Sequence, residues 1–170
     1  MAILEILKYG DPRLRTPAAP VQTIDDTVRK LVQDMLETMY YANGIGLAAN
    51  QVGVLLQVYV IDLYRGQRPE EVLVVLNPTV VHEEGEAREE EGCLSFPGLY
   101  APVVRPARIR VRGQTLDGTW HEWEAEGLLA RAFSHETDHL QGRLIIDRMT
   151  PLTRAAFLRK VRKRQRLGEW

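Results

Sequence analysis

Apolar residues recur at helical spacing in some stretches and crowd into short runs in others. Val28, Leu31, Val32, Met35, Met39 and Tyr40 fall at three- and four-residue steps. That spacing predicts a helix opening at Asp25 and Asp26, whose charges suit a helix N-terminus, and closing at Asn43-Gly44. Residues 54–64, VLLQVYVIDLY, are β-rich. Residues 72–76, VLVVL, form a short apolar run that Asn77-Pro78 is expected to break. Residues 103–125 read as two further strands around the Asp117-Gly118 turn signal. Helical spacing returns from about Glu126 to Gln141, with Gly142 to close it, and a last helix is expected from about Thr153 to Leu167. Residues 10–20, holding Gly10, Asp11, Pro12, Pro17 and Pro20, read as an irregular arm. Strands followed by helix, without βαβ alternation, argue an α+β fold. No repeat or linker divides the chain, so one domain over 1–170 is expected.

Lys and Arg total 22 against 23 Asp and Glu, a formal net charge of -1. That balance gives no case for DNA or another acidic polymer as the main partner. The single cysteine allows no intramolecular disulfide and fits a reducing cytoplasm. The opening MAILEILKYG lacks a basic n-region and a long apolar run, and no segment approaches the ~20 apolar residues of a membrane span. A cytoplasmic protein without membrane partners is the expectation.

Candidate chemistry concentrates in His135-Glu136-Thr137-Asp138-His139. Residues four apart lie on one helical face, so His135 and His139 can bind one metal ion and Glu136 can reach a water on it. Leu128, Ala132, His135 and His139 share that face, which points the imidazoles toward the core. A third histidine six residues on would complete one known protease pattern, but Ile145 stands there. A downstream Glu ligand has only Glu169 to draw on. His82 and His121 read as surface residues. Cys93, in Glu91-Gly92-Cys93-Leu94-Ser95, remains as the soft ligand, with Gly92 permitting close backbone approach; alone it reads equally well as a small buried hydrophobe. Cysteine, two histidines and an open position form a catalytic rather than a closed structural geometry.

The run Gly44-Ile45-Gly46-Leu47-Ala48-Ala49-Asn50-Gln51 matches G-x-G-x-x-A, but a helix precedes it and a strand follows, the reverse of a dinucleotide fold. Read as a loop, it offers the backbone amides of Ile45 and Gly46 to an extended peptide. Gln51 offers a side-chain amide, which its chemistry alone would assign to capping a loop. Arg105 reads equally as the partner of a buried Glu91 or Asp138, or as a surface ion pair. Residues 83–91, rich in Glu, read as a solvated strand face or turn.

Together GIGLAANQ (44–51), EGCLS (91–95) and HETDH (135–139), in that order, resemble the three motifs of the peptide deformylases of bacterial type. The resemblance implies antiparallel β-sheets packed around a central metal-binding helix, with N-terminal and C-terminal helices. It implies a metal-dependent hydrolase that removes the N-formyl group from the initiator methionine of nascent polypeptides and releases formate. It further implies one divalent ion on Cys93, His135 and His139, with Fe(II) favoured and Zn, Ni or Co able to replace it. Glu136 would move protons, and Gln51 with the Leu94 N–H would meet the oxyanion. Ile45, Gly46, Gly92, Tyr100, Leu128 and the stem of Arg131 would line the substrate pocket. The basic tail of residues 154–170, with seven Lys and Arg between 154 and 166, suits a helix docked on the ribosome. A zinc peptidase sharing H-E-x-x-H, or a non-catalytic metal- or ribosome-binding module, is the alternative.

Overall fold

The computed structural model describes residues 2–170. Helix α1 spans Asp26–Tyr41; the Asp25 carboxylate caps it by accepting from the Val28 N–H at 3.1 Å. Strands β1 (Gly46–Ala48), β2 (Val58–Ile61) and β3 (Leu73–Glu84) follow, then β4 (Ala87–Gly92), β5 (Tyr100–Arg105), β6 (Arg108–Gln114) and β7 (Trp120–Glu126). Helix α2 (Gly127–Leu140) follows β7 directly, and α3 (Pro151–Arg166) closes the chain behind a Thr150 cap. Five strands form one antiparallel sheet in the order β1-β2-β3-β6-β7, and β4 and β5 form a separate antiparallel pair. The fold is α+β, as the order of elements predicts.

β2 explains how α2 becomes central. All four of its residues are buried. Val58 and Val60 face α1 with Val28, Val32, Met35 and Met39, while Tyr59 and Ile61 face α2 with Ala130, Phe133 and Leu140. Side chains alternate across a strand, so a strand covered on both faces reads as a continuous apolar run. A third core joins the β4-β5 pair to α3 through Phe96, Val103, Ile146, Phe157 and Val161. Gly127, at φ 63, lets β7 turn straight into α2.

Several expectations need correction. Asn77-Pro78 does not end its strand: β3 runs through it. Asn77 sits at φ 52, where the register with β6 shifts between Leu76 and Thr79. Its side chain accepts from the Val21 N–H and donates to the Val21 carbonyl, and Pro78, with no N–H to give, occupies the interrupted part of the ladder. Residues 44–53 are not all loop, since Gly46–Ala48 is the sheet's edge strand and Ala49–Val52 a 3-10 turn. Only Val58–Ile61 of the 54–64 run is strand. Residues 100–105 belong to β5, leaving Asp117-Gly118 to join β6 and β7. Within 83–91 most acids are exposed, but Glu91 is buried.

Candidate metal centre

α2 carries His135 and His139 inward, 8% and 1% exposed. Their Nε2 atoms lie 3.1 Å apart, and the Cys93 Sγ, from the turn after β4, lies 3.5 Å from His139 Nε2. Ligand atoms of all three residues fall within 4.8 Å of one another. A tetrahedral ion at ordinary Zn–N and Zn–S distances needs edges of roughly 3.3 Å between nitrogens and 3.6 Å between nitrogen and sulfur. The donor set therefore fits a single divalent cation. Ile145 is buried in the α3-side core, and Glu169 is exposed and paired with Arg164, so neither joins the cluster. His82 and His121 are exposed, as expected.

A buried ionic network holds the histidines. Glu91 Oε2 accepts from His135 Nδ1–H at 2.7 Å, which leaves the Nε2 lone pair facing the cluster. Arg105, 1% exposed, grips Glu91 at 3.0 and 2.7 Å and reaches Asp138 at 2.7 Å and Ser134 at 3.2 Å. The alternative of a surface ion pair for Arg105 is thereby excluded. Arg148 adds a two-pronged contact to Asp138 at 2.9 and 3.0 Å. Burial opposes the charge on Glu91, yet His135 and Arg105 hold its carboxyl below the usual range. Two imidazole nitrogens this close cannot both carry a proton on their facing edges. Burial and the neighbouring His135 hold His139 well below its ordinary value.

Glu136 is 3% exposed, and its Oε1 has no hydrogen-bond partner among the described residues. Burial pushes it up to about 7, against the pull of His135 and Arg105. Its Oε2 lies 4.0 Å from His135 Nε2. A side chain at Gly46 would collide with that carboxylate, so Gly46 makes the cradle for it. An orphaned carboxylate oxygen beside a metal-type cluster, held near neutrality, can take up and return a proton.

Gln51, 1% exposed, places Nε2 3.6 Å from Cys93 Sγ. Gln51, Cys93, His135 and Glu136 open onto one cleft of ≈ 740 Å³. Ile45, Gly46, Gly92, Leu94 and Tyr100 line it. So do Leu128 and Arg131, whose guanidinium turns away to Glu91 and to the Val103 and Ala87 carbonyls, leaving the stem for the wall. Leu128 does not join the buried face of α2; it is 54% exposed at the mouth, two residues before the buried run begins at Ala130. Tyr100, 66% exposed, lays its ring against Gly92, where a Cβ would strike it.

Sequence reasoning left Arg105 between a buried acid and a surface ion pair, missed Glu91 as the partner of His135, and missed Arg148. Glu91 stands immediately before Gly92-Cys93, and that adjacency was the one available signal. Arg148 carried none.

The family profile described as Polypeptide deformylase matches residues 3–155. A peptide deformylase of Acidobacterium capsulatum is 51% identical over 170 residues, covering 100% of both chains. The crystal structure of a peptide deformylase from Legionella pneumophila superposes with a TM-score of 0.91 at 44% identity, covering 99% of this chain and 98% of that one. A Synechococcus elongatus peptide deformylase in complex with actinonin gives a TM-score of 0.87 at 43% identity, over 92% of this chain and 86% of that one.

Proposed function

The chain belongs to the polypeptide deformylase family and carries out the family's reaction on nascent formyl-Met polypeptides; for its residues we propose the following roles. Cys93, His135 and His139 hold one divalent cation. When bound, the cation supplies Lewis acidity that makes water a nucleophile at neutral pH. Glu136 accepts the proton of the attacking water and returns it to the leaving amine nitrogen, so the formyl carbon departs as formate. Gln51 Nε2–H and the Leu94 N–H meet the charge that develops on the formyl oxygen. Gly46, which opens an edge strand with one side unpaired, Ile45 just before it and Gly92 opposite hold the peptide backbone as an added strand. Leu128 and the Arg131 stem receive the methionine side chain, and Tyr100 borders the residues after it.

The observation that carries this reading is the buried Glu136, its Oε1 without a hydrogen-bond partner, beside three converging ligand atoms. Thiolate and imidazole suit Fe(II), Zn, Ni and Co alike, and the family resemblance favours Fe(II) among them. The chain acts as one catalytic domain in the cytoplasm; no helix among the described residues is long and apolar enough to cross a membrane. The exposed basic residues of α3 dock on the ribosome by phosphate contacts. Formate release from formyl-Met-Ala-Ser, assayed anaerobically with Fe(II), tests the function. Turnover of the formyl peptide with none of acetyl-Met-Ala-Ser is expected; equal hydrolysis of both, or of internal peptide bonds, would contradict it.

A further inference from the structure

A carboxamide stabilises a developing charge only if its N–H is already aimed. The Gln51 carboxamide is held at both ends. Its Oε1 accepts from the Ala48 N–H at 3.1 Å. That contact fixes which end is oxygen, because an NH2 group there would face another donor. Its Nε2 donates to Ser95 Oγ at 3.1 Å while lying 3.6 Å from Cys93 Sγ. Nε2 has two hydrogens, so the one given to Ser95 directs the other toward the cluster. Ser95 is fully buried and its main chain is pinned, with Tyr9 N–H donating to its carbonyl at 3.0 Å. Phe96 N–H closes the same turn on the Cys93 carbonyl at 2.8 Å.

From this geometry we infer that Ser95 is a positioning residue that aims the Gln51 N–H at the reacting oxygen. The inference rests on the oxyanion role given to Gln51 above. One turn then sets three things together: the Cys93 ligand, the Leu94 backbone donor and, through Ser95, the direction of the side-chain donor. Without Oγ, a buried Nε2 hydrogen is left unpaired and the amide turns toward another acceptor.

The test measures kcat and KM on formyl-Met-Ala-Ser, metal per chain and melting temperature for Ser95→Ala, Gln51→Ala and the double variant. Removing an oxyanion donor costs about 10²–10³ in kcat, and misaiming it costs less, about tenfold. Ser95→Ala is expected to lower kcat about tenfold, with KM and metal content changed less than about twofold. In the Gln51→Ala background it should cost nothing further, because its route to the reaction is gone. Ser95→Cys, nearly the same size with a weaker acceptor, should fall between wild type and Ser95→Ala, and it carries the test if the alanine variant does not fold. Wild-type kcat in Ser95→Ala, losses that multiply in the double variant, or a loss that follows metal content would each overturn the inference while leaving the role of Gln51 standing. A harmless Gln51→Ala would remove both.

Discussion

α2 and α3 are helices of similar length, 14 and 16 residues, joined by residues 141–150 with a 3-10 turn at Ile145–Arg148, yet eleven residues of α2 are buried and two of α3. Arg131, His135, Glu136, Asp138 and His139 are among the eleven. Buried charge is tolerable only where it is paired and hydrogen-bonded, and β4 and β5 bring Glu91 and Arg105 to do that. α3 leaves its charges in water and buries only Phe157 and Val161. The chemistry therefore sits on the helix that depends most on distant parts of the chain, and the helix richest in charge depends on them least.

The contrast predicts unequal sensitivities. Arg105→Leu should be the most damaging to the fold, because Glu91 and Asp138 lose the charge between them. A loss of about 3–5 kcal/mol is expected, seen as a large fall in the denaturation midpoint. A near-normal midpoint would show that the network does not hold α2. Glu136→Gln should fold and keep its metal but lose about 10²–10⁴ in kcat. Wild-type turnover there would remove Glu136 from proton transfer.

Smaller effects are expected away from α2. Asp147 accepts from Arg15 Nη1 at 2.5 Å and from the Leu144 N–H at 2.9 Å, and despite partial burial these hold its carboxyl below 3.8. A lowered folded-state pKa adds stability above the unfolded value, lost as pH falls through the folded one. Solvent screening limits this to about 0.5–1 kcal/mol. Asp147→Asn should remove that part of the acid sensitivity below about pH 4 and narrow the gap to wild type as pH drops; a gap that is constant with pH would contradict it. Least of all, Arg159→Ala with Lys163→Ala on the exposed side of α3 should shift the midpoint by less than about 0.5 kcal/mol and leave small-peptide kcat unchanged. Ribosome binding should weaken and lose part of its salt dependence. Binding that is unaltered in strength and salt dependence would detach α3 from the ribosome.

The same contrast marks what the sequence could disclose. All three helices lie within about three residues of their expected ends, because periodicity and capping are local. H-E-x-x-H and its resemblance to a family pointed to the donor set on α2. Glu91 read both as part of a solvated acidic stretch and as a candidate buried partner of Arg105, since its burial is imposed by Arg105, Arg131 and His135 from elsewhere in the chain. β1, three residues long, is too short to show alternation, and β3 survives Asn77-Pro78 only because Val21 and β6 accommodate the bulge. Gln51 drew its role from resemblance alone, and Ser95 none, because its hydroxyl acquires meaning only when the 91–95 turn meets the 48–51 turn.

Equilibrium dialysis of wild type and Cys93→Ser against Co(II) or Zn(II), under anaerobic conditions, bears most directly on the joint role of Cys93, His135 and His139. Wild type should bind one ion per chain, and Cys93→Ser should bind it at least about 10–100-fold more weakly, with the fold intact by its denaturation midpoint. Equal affinity and stoichiometry in both would contradict a centre shared by the β4-β5 turn and α2.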